Sequence, residues 1–188
     1  GKVPLDDAYV WEGEFEFSWW AAMRGYTRPE AVDAALPEDA FLPAAERNMD
    51  LICGWLEAHP DTRFVVWFPP YSLLFWDKMC QQGKTEAVLE AVRYAASRLM
   101  EHGNAQVHCF LHDLGHVTEL GYYTDHIHCS AEVTAWVAQM LMEGKWRLTP
   151  DNCAPALQTL RDYLDAYDFE LLFQSYREME AALPQPDG

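Results

Sequence analysis

Hydrophobic positions recur with helical spacing most clearly over residues 84–102, where Val88, Val92, Ala95 and Leu99 share one face. His102-Gly103-Asn104 supplies the stop such a helix needs. On either side the pattern changes. Arg63–Phe68 and Ala105–Leu111 are nearly continuous apolar runs rich in β-branched and aromatic residues, as in strands buried on both faces. The three pieces predict one strand–helix–strand unit, and a helical crossover of that length demands parallel strands. Pro69-Pro70 ends the first strand, and Tyr71–Trp76 reads as a loop.

Upstream, Ala45, Met49, Ile52, Cys53 and Leu56 follow helical spacing from Pro43 to His59-Pro60. Thr27-Arg28-Pro29-Glu30 matches a capping box and predicts a short helix ending before Pro37. Downstream, Ser130 caps a helix with Val133, Trp136, Val137, Met140 and Leu141 inward, and Thr149-Pro150 opens another with proline in its first position. Helical spacing continues through Leu157, Leu160 and Leu164, then Phe169, Leu172, Phe173 and Tyr176.

The chain therefore reads as helix-rich α/β. Residues 1–42 form an irregular aromatic and acidic lead-in, 43–182 the strand–helix–strand unit with C-terminal helices, and 183–188 a tail. Two apolar strands alone leave unpaired edges. We therefore expect the chain to be the C-terminal portion of a single larger α/β domain whose other strands lie upstream. The alternation over residues 9–17 predicts an extended segment and is an alternative source of a third strand.

A length of 188 residues suits one domain, and a content that is half hydrophobic and 14% aromatic excludes general disorder. A net charge of −17 argues against nucleic acid and anionic lipid surfaces as partners. No run of ~18 apolar residues is present, so no membrane span is expected in this chain. The five cysteines are scattered without a Cys-x-x-Cys pair, which favours buried reduced thiols over a disulfide framework or a thiolate metal site.

Six of the seven histidines fall within residues 102–128. In Asp125-His126-Ile127-His128, directly before Ser130, an Asp three residues ahead of a His can accept from its Nδ1–H and leave Nε2 as a base. A surface or capping role for the same pair stays open. A second grouping, His108, His112 and His116 with Asp113, offers metal-ligand chemistry, against separate packing histidines. Strand alternation places His108 on the face of Phe110, which suits a packed core residue.

Ala58-His59-Pro60-Asp61-Thr62-Arg63-Phe64-Val65-Val66-Trp67-Phe68-Pro69-Pro70-Tyr71-Ser72 and Gly121-Tyr122-Tyr123-Thr124-Asp125-His126-Ile127-His128-Cys129-Ser130 carry a resemblance. Together, in this order, they resemble segments of an uncharacterised bacterial branch of the SGNH (GDSL-like) hydrolase superfamily, over roughly residues 45–175. Cys129 stands where that pattern commonly has Tyr. The resemblance implies a three-layer parallel-sheet (SGNH/flavodoxin-like) domain and a Ser-His-Asp triad with Asp125 and His128 as two members.

The superfamily's Gly-Asp-Ser-type nucleophile block and its Gly and Asn oxyanion donors have no counterpart here, so the nucleophile is expected upstream. Of the serines Ser18, Ser72, Ser97, Ser130 and Ser175, only Ser72 sits in a loop at the C-terminal end of a strand, where α/β sites open. Tyr71, Ser72 and Trp76 are the expected substrate-binding residues, with packing on a neighbouring helix or plain loop structure as the open alternative, and Asp125 and His128 are expected to face a pocket bordered by Pro70, Tyr71 and Ser72.

The implied activity is ester hydrolysis or acyl transfer on a small-molecule or carbohydrate acyl ester, with no cofactor and no metal, and with the upstream half of the same domain as partner. Two alternatives remain: a non-catalytic module of the same fold in cell-envelope assembly or binding, and a metal-dependent hydrolase built on the histidine cluster. Resembling proteins sit outside the cytoplasm behind a membrane anchor, whereas five thiols fit a reducing compartment. Location is left open.

Overall fold

The computed structural model describes residues 15–183. At its centre Phe64–Phe68 (β1) and Ala105–Cys109 (β2) pair in parallel, with Phe64 opposite Ala105 and Phe68 opposite Cys109. Thr85–Met100 (α4) joins them. Phe64 N–H donates to the Asn104 carbonyl at 2.8 Å and Phe110 N–H to that of Phe68 at 2.9 Å, after which Pro69 offers no donor. Among the described residues the sheet has these two strands.

Leu42–Ala58 (α2) precedes β1, and Leu73–Gln81 (α3) follows it. Asn104 Nδ2 donates to the carbonyls of Leu56 and His59 at 3.0 and 3.1 Å, plugging the end of α2 onto the start of β2. Ala105, Val107 and Cys109, with Phe64, Val66 and Phe68, face the main core. They meet Met49 and Leu56 of α2, Leu89, Ala96 and Leu99 of α4, and Leu157, Leu160 and Leu164 of Cys153–Ala166 (α7). The opposite face is thinner. Phe110 packs there with Val133 and Val137 of Ala131–Met142 (α6). Three further α-helices, Trp19–Arg24 (α1), Leu114–Val117 (α5) and Phe169–Ala181 (α8), and two short 3₁₀ turns, Glu38–Phe41 and Leu120–Tyr122, complete the described chain. No described helix is long and apolar enough to cross a membrane.

The parallel unit is as the sequence predicts, and Ser130 caps α6 by accepting from Val133 N–H at 3.4 Å. Other expectations need correction. Residues 27–36 are not helical. The segment runs as a strap because Val32 and Leu36 N–H donate to the carbonyls of Gln81 and Gly83, while the Arg28 side chain is drawn to Asp77. Tyr71–Trp76 is not a loop throughout, since α3 begins at Leu73.

β1 is not buried on both faces either: Trp67 is 47% exposed. The Thr149-Pro150 helix opens at Cys153, because Thr149 and Asn152 bond reciprocally (N–H to Oδ1 at 2.8 Å, N–H to Oγ1 at 3.3 Å) and form a turn first. Residues 15–17 carry no regular structure, and the rest of the 9–17 segment, like the end of the tail, lies outside the described residues.

Candidate functional site

The site is a tight reversal between Tyr122 and the cap of α6. Thr124 N–H donates to the His128 carbonyl at 3.1 Å and Ser130 N–H to that of Tyr122 at 2.8 Å. Inside the reversal Asp125 Oδ1 accepts from the backbone N–H of Ile127 at 2.7 Å and of His128 at 2.8 Å, the local bonding that makes Asp a turn residue. Its Oδ2 lies 2.6 Å from His128 Nδ1.

Partial burial pulls the Asp125 carboxyl upward, but the His128 side chain and the two backbone N–H groups outweigh it and hold the group below the usual carboxylate range. An ionised Asp125 can only accept, so Nδ1 of His128 is the donor in this pair. The His128 side chain is 68% exposed.

Two long-range bonds fasten this reversal to the segment leaving β1. Ser72 Oγ donates to the His126 carbonyl at 2.8 Å, and Tyr123 OH to the Pro70 carbonyl at 2.6 Å. The loops after the two strands therefore converge, as expected. Ser72 itself is fully buried with its hydroxyl committed to a main-chain carbonyl, so in this structure it acts as a staple between the two segments. Trp76 is likewise fully buried and belongs to the core. Tyr71 remains half-buried beside Phe75, ring centroids 4.5 Å apart.

The other serine hydroxyls are also engaged: Ser18 and Ser130 as caps, Ser97 and Ser175 on carbonyls one helical turn back. No described serine is poised beside His128.

The histidine cluster divides. His108 is fully buried with Nδ1 2.6 Å from the Lys145 carbonyl, the packing role that strand alternation suggests. His112 rests against Trp146 at 5.0 Å, and burial pushes its imidazole below the ordinary value. His116 Nδ1 lies 2.5 Å from Asp113 Oδ2, with its ring on Trp136 at 4.1 Å. Among the described residues no three His, Cys, Asp or Glu side chains converge as metal ligands. Asp113-x-x-His116 thus repeats the spacing of Asp125-x-x-His128, a signal visible in the sequence that the metal reading obscures. Its imidazole is mostly covered, whereas that of His128 is open.

A buried clamp stands behind the reversal. Asp77 of α3, fully buried, accepts from Tyr26 OH at 2.8 Å and from Arg28 Nε at 3.1 Å. Arg28 also pairs with Glu170 and lies over the Phe173 ring at 4.4 Å. Tyr26 packs against Phe173 and the His126 ring. The isolated Asp in Leu73-Leu74-Phe75-Trp76-Asp77 was the available signal for this clamp.

Comparison with family models, curated proteins and solved structures finds no match for this chain.

Proposed function

We propose that His128 is the base, and Asp125 the carboxylate that orients it, in the Ser-His-Asp triad of an SGNH-like ester hydrolase or acyl-transferring enzyme. The nucleophilic Ser comes from an upstream segment outside residues 1–188, within a three-layer parallel-sheet domain. The observation that carries this reading is the 2.6 Å contact of His128 Nδ1 with a carboxylate already fixed by two backbone N–H groups. That contact selects the tautomer a base needs. Nε2 takes the proton as the Ser oxygen bonds to the acyl carbon, then returns it to the departing alkoxide. Water or a carbohydrate hydroxyl repeats the step in reverse on the acyl-enzyme. The parallel β1–β2 pair, with both following loops gathered at one end, is the place where α/β sheets build sites.

The test is turnover of a p-nitrophenyl acyl ester by the natural polypeptide. His128→Ala should abolish turnover with the melting temperature nearly unchanged, since the ring is largely exposed. Asp125→Asn should slow it by about 10⁴-fold through loss of the tautomer. His116→Ala is the control for the second Asp–His pair and should change little. Full activity in His128→Ala would sink the proposal, whereas absence of turnover by the parent polypeptide would favour a non-catalytic module of the same fold.

A further inference from the structure

Glu143-Gly144-Lys145-Trp146-Arg147 leads from α6 to the border of β2. His108 Nδ1 lies 2.6 Å from the Lys145 carbonyl, Cys109 N–H donates to the Trp146 carbonyl at 3.0 Å, and Leu148 N–H to that of Val107 at 2.8 Å. These bonds hold residues 145–148 against β2, with Arg147 opposite His108. Within this fixed segment Trp146 has a φ of +58°, in the left-handed region that bulky residues rarely enter. Alternation would send Trp146 to the same side as Leu148, which lies in the main core. The left-handed backbone turns the indole to the other face, against His112 at 5.0 Å, Phe110 at 6.0 Å and Trp136 at 6.2 Å. Strained backbone of this kind concentrates at binding sites.

A cavity of about 350 Å³ lies beside this turn, at the small end of the range for ligand sites. One wall is His112, Trp146 and Arg147, and the other is Pro155, Ala156 and Thr159 of α7. None of the residues lining it is acidic, in a chain with 30 Asp and Glu. Two of its polar side chains are already committed. The Asn152 amide donates to the Arg147 carbonyl at 3.0 Å and accepts from Thr149 N–H at 2.8 Å, and Thr159 Oγ1 donates to the Pro155 carbonyl at 3.0 Å. The other two are the His112 imidazole, kept neutral at pH 7 by its burial, and the Arg147 guanidinium. Arg147 is exposed and makes no ion pair among the described residues. The cavity therefore offers one uncompensated positive charge beside apolar walls.

We propose that this cavity binds a small planar carboxylate, whose charge pairs with the Arg147 guanidinium and whose apolar body lies between the Trp146 indole and Pro155 and Ala156 of α7. A single guanidinium balances one negative charge, and its planar fork matches the two carboxylate oxygens. The neutral His112 ring lends a polar edge without adding a second charge. Phosphate, more highly charged and without an apolar part, leaves the indole and the α7 wall without a partner. The inference does not depend on the Asp125–His128 pair being catalytic, and either can fail alone.

The experiment titrates sodium benzoate into the natural polypeptide and follows the Trp146 indole N–H and the His112 ring by NMR. Benzamide and inorganic phosphate serve as the neutral and the polyvalent comparisons. Benzoate should shift both signals saturably, with a Kd of about 1 mM or tighter. Benzamide and phosphate should each bind at least about 5-fold more weakly. Arg147→Met and Thr159→Phe, both at exposed positions, remove the charge and fill the space separately. Each should weaken benzoate at least about 5-fold with the melting temperature nearly unchanged. Absence of a saturable shift at Trp146 overturns the proposal, as does benzamide or phosphate binding as tightly as benzoate. Undiminished binding in either variant overturns it as well. The benzamide comparison uses the parent protein, so the decision does not hang on how a variant folds.

Discussion

Replacing Arg28 with methionine leaves the fully buried carboxylate of Asp77 without its cation. The guanidinium reaches both carboxylate oxygens, with Nε at 3.1 and 3.2 Å and Nη2 at 3.0 Å, and Tyr26 OH would be the hydrogen-bond partner that remains. Removing one member of a buried pair costs about 3–5 kcal/mol, because the other charge stays desolvated. Loss of the contact with the Phe173 ring adds about 0.5–1 kcal/mol, while the exposed partner Glu170 contributes little. For a domain of this length each kcal/mol moves the melting temperature by about 2–4 °C, so a drop of roughly 7–24 °C is expected by circular dichroism.

The diagnostic step is the double variant Arg28→Met/Asp77→Asn. The amide removes the stranded charge yet can still bond Tyr26, so at least about half of the loss should return. A melting temperature for Arg28→Met within about 2 °C of the parent would refute the reasoning, as would a double variant no more stable than the single one. Because Tyr26 packs against the His126 ring, the same variant should broaden the His126 and His128 resonances in NMR spectra.

Gly83→Ala should destabilise by about 1–3 kcal/mol in urea titrations from its left-handed backbone alone. Its φ is +61°, and an added Cβ would also meet Ala35 Cα at 2.7 Å. Gly54→Ala, inside α2 with nothing within 4 Å, should instead stabilise by about 0.5–1 kcal/mol. Tyr123→Phe strips the buried Pro70 carbonyl of its donor and should cost about 1–3 kcal/mol, read from the same titrations. Because the Asp125 carboxyl sits below its ordinary value in the fold, its bonds contribute fully above about pH 4 and are lost as pH falls through the depressed folded value. The acid limb of stability against pH should flatten in Asp125→Asn, and an unchanged limb would contradict that assignment.

Much of this was readable in the chain because its causes are local. The period of α4, the breakers around it and the apolar runs beside it suffice for a parallel strand–helix–strand unit. Asp125-x-x-His128 is likewise a short-range device, whose bonds all span three residues or fewer. The misreadings have distant causes. The capping box at Thr27 yields to an ion pair between Arg28 and Asp77, forty-nine positions away. α3 hides in Leu73-Leu74-Phe75-Trp76 because it buries Leu73, Leu74, Trp76, Asp77 and Met79, which leaves no polar stripe for periodicity to find. Ser72 resembles a site residue by position, and its actual bond, to the His126 carbonyl, joins segments fifty-four residues apart.

Among the described residues, the outer side of β2 is closed where that of β1 is open. Cys109 N–H donates to the Trp146 carbonyl at 3.0 Å and Leu148 N–H to that of Val107 at 2.8 Å, so the segment after α6 seals the far edge. A sheet with one sealed border has a single growing end. Molecules deprived of whatever covers β1 can join edge to edge once, and the pair then presents only sealed borders to the solvent. Misassembly through this sheet stops at two chains and cannot extend into a fibril, which needs both borders free.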